Sequence, residues 1–359
     1  MKVYFKGLDT LRAIAALVVV IGHIELQKKE IGIPNLINHP YIRLASGHIG
    51  VVLFFVLSGF LITYLLAKEK EKAGKIAFKK FYIRRIFRIW PLYYLILLLS
   101  FLFFRADYSL GSAALCMSIF PNIAHAFNMG WPTSPQLWSI GVEEQFYLFW
   151  PLVIKLIPDK KKVFYLTLFF IGYSIIPYFI KFLNPGIFKT EPWGYFIGDF
   201  FYGSKFNSMC FGGILGYMYA CNHKNLKFLY NKYIAYSSVI LSFVLWFSGV
   251  DFRFFRDEIY TLLFGIMILN VATNDKLKLN IDTKLFSFLG KISYGIYMYH
   301  WIVILLVMKF ITYASYENNY SYNFLLYITV LIGTIGISWV SFISFEKYFL
   351  SLKQRFEAV

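Results

Sequence analysis

GLDTLRAIAALVVVIGHIE, residues 7–25, is the stretch from which the fold can be read. It is an apolar run, yet it carries a guanidinium near its start, Arg12, and an imidazole near its far end, His23. The interval from position 12 to position 23 is about three turns of α-helix, so the two side chains share a face and stand about 16 Å apart along the axis. An ionisable group this deep in an apolar segment is costly unless it lines a cavity or finds a partner. The stretch therefore reads as one wall of a polar site inside a membrane protein.

The rest of the chain agrees with that setting. Of 359 residues, 58% are hydrophobic and 15% charged, against about 25% charged in an ordinary soluble domain; the mean hydropathy is +0.59. Apolar runs recur along the whole length, at about 11–27, 49–66, 89–105, 139–157, 163–181, 206–222, 233–249, 258–273, 290–309 and 324–345. That pattern predicts an all-α polytopic membrane protein, a bundle of about ten transmembrane helices forming a single domain over residues 1–359. Many of the Tyr and Trp residues sit near run ends, where interfacial rings are favoured. The first run is not a removable signal peptide, because no cleavage site of small residues follows it and the next run arrives soon after.

The formal charge of +17 raises the question of nucleic acid, and its distribution answers it. With the N-terminus inside, 26 of the 36 Lys and Arg fall on the inner side, nine of them between Lys68 and Arg88. This is the positive-inside pattern; it predicts cytoplasmic N- and C-termini and a lipid bilayer, with no nucleic acid, as the partner of the charge. Cys116, Cys210 and Cys221 are odd in number, lack metal-ligand spacing and read as small hydrophobes. No Walker, dinucleotide, zinc-ligand or Gly-x-Ser-x-Gly pattern occurs, so no metal is expected. There is no internal repeat of the kind that builds a two-halved transporter.

Taken in order, several further groups carry chemistry. His39 and His48 in the outer loop 28–48 read as solvated histidines. The pair Ser58 and Gly59 permits close helix contact or a bend. In KEKEKAGKIAFKKFYIRRIFRIWP, residues 68–91, Arg84 and Arg88 share a helix face beside Arg85; the cluster reads either as an anchor on acidic lipid or as a phosphate clamp. Pro91 is expected near a helix start, where its missing donor matters least. The segment 106–137 is outer and too short in its apolar patch to cross. It leads into WPTSPQLWSIGVEEQFYLFW, residues 131–150, where Glu143 and Glu144 enter the fourth run at a depth close to that of His23. A carboxylate beside a histidine orients the ring and raises its basicity. The two carboxylates diverge by about 100° on a helix, so one is expected to face the site and the other to make a structural bond. Gly212, Gly213 and Gly216 suggest tight packing. The turn with Arg253, Arg256, Asp257 and Glu258 reads as a solvated cap or as acceptor recognition. Tyr294, Tyr297 and His300 form a polar stripe in the ninth run, His300 being either a site residue or a satisfied core histidine. Glu346 suits a salt bridge to Arg12 or to the Arg84–Arg88 group.

Five of these stretches together are recognisable. GLDTLRAIAALVVVIGH, GVVLFFVLSGFLI, RRIFRIWPLYY, LWSIGVEEQFYLFWP and LGKISYGIYMYH, in this order, resemble the integral-membrane acyltransferase-3 family over essentially the whole chain. The resemblance implies a ten-helix bundle in the bacterial inner membrane that takes an acyl group, usually acetyl, from cytoplasmic acyl-CoA and moves it to a hydroxyl of a cell-surface or lipid-linked glycan. It places the catalytic histidine at His23, its partner at Arg12, the arginine cluster at Arg84, Arg85 and Arg88 and the acidic motif at Glu143 and Glu144. Acetyl-CoA is then a co-substrate, and no attached extracytoplasmic SGNH domain is expected. Where many members have Arg-Phe-Asp this chain has Lys205, Phe206 and Asn207, and Tyr348 stands where a proline often follows the glutamate corresponding to Glu346.

The expected mechanism has Arg84, Arg85 and Arg88 holding the anionic groups of acyl-CoA, with Arg12 beside the pantetheine arm. His23 then acts as general base on the acceptor hydroxyl or as an acyl carrier, while Glu143 or Glu144 fixes its tautomer. Ser58, Tyr297 and His300 are supporting candidates. The alternative is a non-catalytic membrane transporter or channel for a polar solute, using the same polar interior. The glycan, the acyl group and the oligomeric state are not legible in the chain.

Overall fold

A computed structural model describes residues 4–356 apart from 38, 40–43, 105–107, 184–185, 187–192, 253–254, 278 and 312–319. Pro40, Arg253 and residues 184–185 and 187–192 of the loop 182–205 lie outside the described residues; the rest of that segment is largely a helix, Trp193–Gly203. Each apolar run coincides with helix, and no strand occurs among the described residues. The principal helices are α1 (Leu8–Glu30), α2 (Gly47–Ala73), α3 (Phe78–Phe103), α4 (Leu137–Leu156), α5 (Lys162–Leu183), α6 (Phe206–Ala220), α7 (Lys232–Phe247), α8 (Arg256–Thr273), α9 (Ser293–Ile311) and α10 (Tyr320–Ser341). Five helical stretches, Gly47–Ala73, Phe78–Phe103, Asp159–Leu183, Ser293–Phe310 and Tyr322–Lys353, are long and apolar enough to cross a bilayer. The protein is an all-α, multi-pass membrane protein. The segment 106–137 contributes two short helices, Leu110–Met117 and Pro121–Ala126, ahead of α4.

Pro91 departs from its expected place. The helix begins at Phe78, so the basic turns before the third run are continuous with it and Pro91 is internal. A proline inside a helix leaves the carbonyl four residues back, here that of Phe87, without its helix donor; the Tyr294 hydroxyl donates to a different carbonyl nearby, that of Ile89, at 2.8 Å.

The tightest seam joins α2 and α6. A Cβ added at Gly59 would strike the backbone of Met209, one at Gly212 the backbone of Val56, and one at Gly216 the backbone of Phe60. The glycines thus let two helix backbones touch, the device by which helices associate where lipid removes the hydrophobic drive between them. Gly213 sits at the same seam, against Thr63 and Trp150.

Two polar clusters tie the helix ends. At one end Asp159 accepts from Lys70 at 2.9 Å, Lys162 at 2.6 Å and the Tyr217 hydroxyl at 3.2 Å. At the other end Asp257 pairs with Lys205 at 2.6 Å, His48 at 2.9 Å and Arg256 at 3.0 Å, and Asn207 donates to Glu258 at 3.1 Å. His48 is therefore no solvated loop residue: it lies in the first turn of α2, with its Nε2 2.9 Å from Asp257. The turn at Asp257 is likewise packed, with Asp257 buried. Lys205 and Asn207 make an ion pair and a hydrogen bond through the residues present here.

α1 is pinned at both ends. Asp282 accepts from the Gly7 amide at 2.9 Å and the Thr10 hydroxyl at 2.8 Å, placing a carboxylate at the helix N-terminus, where the macrodipole favours it. Near the other end buried Glu25 and Lys28 pair at 2.7 Å; Lys28 also donates to Asn323 at 2.8 Å, and Tyr327 donates to Glu25 at 2.7 Å. The position of His23 along the membrane normal is thus fixed from outside the site. Glu346 hydrogen-bonds to Ser341 at 3.3 Å. Among the described residues it makes no ion pair with an arginine, because Arg12 pairs with Asp9 and Arg84 with Glu69.

Candidate active site

α1 and α9 cross where His23 faces His300. His23 Nδ1 and His300 Nε2 are 2.7 Å apart, with ring planes 12° apart and centroids separated by 5.0 Å, the near-coplanar arrangement of an in-plane N–H···N bond. His300 Nδ1 lies 2.6 Å from the carbonyl oxygen of Tyr297. A carbonyl only accepts, so His300 Nδ1 carries the hydrogen, and in the neutral ring Nε2 keeps a lone pair. That lone pair requires a donor, so His23 Nδ1 carries a hydrogen as well. The remaining nitrogen, His23 Nε2, is left with a lone pair and no hydrogen bond among the described residues. Two successive donor–acceptor assignments thus leave a base at that position. His300 is fully buried, while His23 is only partly so; the ring that holds the lone pair is the reachable one. The Trp301 ring meets His23 edge to face, with centroids 5.0 Å apart.

Beside this pair lies a cavity of about 320 Å³ whose polar lining includes Asp9, Arg12, Arg85, Arg88, Ser58, Ser139, Glu143, Tyr147, Tyr294 and Tyr297. Arg12 pairs with Asp9 at 2.9 Å and feels like-charge repulsion from Arg88. Buried Arg85 stacks against Tyr147 and Phe81, its guanidinium carbon 5.5 Å and 5.7 Å from their ring centroids, and its Nε has no hydrogen-bond partner among the described residues. Three guanidiniums with one unmet buried donor form a setting that asks for an anion. Arg84 does not join them. It turns away to Glu69 at 3.1 Å and to the Phe356 carbonyl at 3.0 Å. The face that serves the cavity is Arg85 and Arg88, three residues apart, in place of the expected Arg84 and Arg88.

The glutamates diverge as well. Glu143 faces the cavity, where the hydroxyls of Ser58 and Tyr147 both donate to its Oε1. Glu144 accepts from the Trp90 indole at 2.8 Å, and its other oxygen has no partner among the described residues. Among the described residues neither carboxylate hydrogen-bonds to His23; the group that holds the imidazole is His300. Tyr297 joins the two halves of the site. It lines the cavity, its hydroxyl is 2.6 Å from that of Ser139, its carbonyl accepts from His300, and its ring centroid lies 5.6 Å from that of His300. His23 does not itself line the cavity; Tyr297, which does and on which Phe54 packs, connects the cavity to His300 and through it to His23.

The fold and site define a helical membrane protein with a pair of hydrogen-bonded histidines inside it and an arginine-lined chamber next to them. The chain matches the acyltransferase-3 family, described as an acyltransferase domain, over residues 5–343, and it belongs to that family. A Staphylococcus aureus strain COL protein named "Putative O-acetyltransferase" is 30% identical over 332 residues, covering 86% of this chain and 52% of its own length. "Peptidoglycan O-acetyltransferase OatA" of Listeria monocytogenes is 27% identical over 336 residues, covering 84% of this chain and 50% of its own. "O-acetyltransferase OatA" of Staphylococcus aureus strain NCTC 8325 is 26% identical, covering 86% and 52%. This chain thus spans about half the length of the curated relatives it matches. No solved structure matches it significantly.

Proposed function

We propose that the protein is an O-acyltransferase that moves an acyl group, acetyl by analogy with the names of its relatives, from cytoplasmic acyl-CoA to a hydroxyl of a cell-surface or lipid-linked glycan. One observation carries the reading: the carbonyl of Tyr297 sets the tautomer of His300, which sets that of His23, and the unoccupied lone pair ends up on His23 Nε2. A general base needs that lone pair at working pH and a partner that keeps the ring oriented as it takes the proton.

The donor enters by the arginine chamber. Arg12, Arg85 and Arg88 offer guanidinium forks to the anionic groups of acyl-CoA, and Arg85 Nε is a donor still to be met. The thioester passes Tyr297 to reach His23. The acceptor oxygen then bonds to the thioester carbon as its proton passes to His23 Nε2. Collapse of the tetrahedral adduct breaks the C–S bond, and the proton follows the leaving thiolate. The Nδ1–H···Nε2 bond to His300 persists throughout, and it holds the imidazolium while it exists. Attack by Nε2 on the thioester to give an acyl-imidazole uses the same lone pair.

The test is mass spectrometry of surface glycans from cells carrying the parent chain or His23→Ala, together with transfer of labelled acetyl from acetyl-CoA by membrane vesicles. His23→Ala is expected to lose both signals while the protein still accumulates in the membrane. Undiminished glycan acetylation by His23→Ala would overturn the reading.

A further inference from the structure

His23 stands in a corner made by two consecutive residues of α9. His300 meets it in the plane of the ring, and Trp301 meets it across that plane, the two rings 81° apart with centroids separated by 5.0 Å. Consecutive positions on a helix diverge by about 100°, so the two residues hold the imidazole from different sides. His300 fixes the tautomer. Packing alone does not account for Trp301, because its indole Nε1 is buried and has no hydrogen-bond partner among the described residues.

The other tryptophans show how this fold treats a buried indole. Trp131 donates to the Ser100 hydroxyl at 2.9 Å, Trp150 to the Thr63 hydroxyl at 2.8 Å and Trp246 to the Ser46 carbonyl at 3.0 Å. Half-buried Trp90 donates to Glu144 at 2.8 Å. An N–H taken out of water and left unmet is costly. Of these five indoles, the unmet one lies against the imidazole that carries the free lone pair.

Acyl transfer at that lone pair calls for a donor. Addition of the acceptor oxygen to the thioester carbon drives the carbonyl π pair onto its oxygen, and that anion is best stabilised by an N–H or O–H already in place. The hydroxyls near Tyr297 are engaged elsewhere: its own with Ser139 and the Gln136 carbonyl, those of Ser58 and Tyr147 with Glu143. Trp301 follows Tyr297 by four positions on α9, so it shares that helix face about 6 Å further along the axis. A thioester that passes Tyr297 therefore comes to the indole. We infer that Trp301 is a catalytic residue, its Nε1–H donating to the oxyanion of the tetrahedral adduct formed at His23. It gives up no proton: the electron pair returns from oxygen to carbon as the C–S bond breaks. The inference rests on the acyl-transfer reading above and deepens it by naming the group that meets the developing charge.

Membrane vesicles from cells producing the full chain, which carry their own glycan, are supplied with labelled acetyl-CoA, and label on glycan is followed against donor concentration. Replacing Trp301 with 3-benzothienylalanine by nonsense suppression puts sulfur where the N–H was and keeps the shape of the ring. That variant is expected to lose kcat by about 10²–10³-fold with the KM for acetyl-CoA within about twofold, so that kcat and kcat/KM fall together. A packing role would leave so close an isostere near the parent rate. Trp301→Phe, which also lacks the donor, is expected to lose at least as much; if it does not accumulate in the membrane, the isostere decides. A benzothienyl variant with the parent kcat overturns the inference, and so does a loss carried by KM in place of kcat. Transfer abolished by His23→Ala but kept by the isostere removes the oxyanion role and leaves the acyl-transfer reading standing. No transfer by the parent removes both.

Discussion

His300 matters to His23 as an acceptor of the Nδ1 hydrogen, and that role is separable from mere bulk. Replacing it with Phe keeps an aromatic ring but removes the lone pair, so the His23 ring is free to turn or to adopt the other tautomer. His300→Phe is expected to lower kcat by roughly 10–100-fold with little change in the KM for acetyl-CoA. The loss is smaller than the roughly 10²–10⁴-fold expected of His23→Ala, which removes the base itself. His300→Gln, whose amide oxygen also accepts, should recover part of the rate; a packing role alone would not produce that rescue. The arginines separate in a similar way. Arg85→Ala and Arg88→Ala are expected to raise the KM for acetyl-CoA by about tenfold or more, whereas Arg84→Ala, which breaks a contact with Glu69 outside the chamber, should lower thermal stability and leave that KM within about twofold. Equal KM effects from all three would show that the chamber does not discriminate among them. The sequence made the residue types legible but not these pairings. Spacing on a helix places Arg84 and Arg88 on one face, but which face meets the cavity depends on α4 and α9, which pack against it. The His23–His300 bond spans 277 positions, and nothing local in either helix announces it. Glu25 and Lys28 drew no attention in the sequence because they stand near the end of a run, where charge is ordinary.

The elements were more legible than the contacts, since an apolar run of bilayer length leaves the backbone little choice but helix. The runs told where helices would be, and the glycine triplet 212, 213 and 216 told that one of them packs closely. The partner, α2, was only half visible through Ser58 and Gly59. Pro91 stands inside its helix because the basic turns before the third run are themselves helical, and helices in a membrane bundle tolerate an internal proline that helices in soluble proteins mostly confine to their first turn. The α2–α6 seam yields a prediction of its own. Gly216→Val would drive a branched side chain into the Phe60 backbone, which no rotamer change relieves. The expected outcome is a destabilisation of about 1–3 kcal/mol or more, read as a lower midpoint of thermal unfolding in detergent. Gly336→Val, on α10, where an added Cβ meets nothing within 4 Å, should change the midpoint far less. Equal effects at the two positions would remove the seam from the account.

At the scale of the whole molecule, the reading requires the arginine chamber to face the compartment that holds acyl-CoA. The charge pattern assigns Lys70, Asp159, Lys162 and Tyr217 to one side of the membrane and His48, Lys205 and Asp257 to the other, and each set converges on a single aspartate. For α2, α5, α6 and α8 the two clusters agree with the charge pattern on which helix ends lie together; what is left to fix is which end is the cytoplasm. The native thiols provide a reporter. Cys116 and Cys210 are fully buried, but Cys221 is exposed and follows α6 directly, close to Lys68 and Asp159 at the end assigned to the cytoplasm. A membrane-impermeant maleimide applied to intact cells is expected to leave Cys221 unlabelled, and the same reagent after permeabilisation should label it alone, with Cys221→Ser abolishing the signal. Labelling of Cys221 in intact cells would put the arginine chamber on the outside. Arg12, Arg85 and Arg88 would then face a medium without acyl-CoA, and the donor half of the mechanism would have to be abandoned whatever the histidine pair can do.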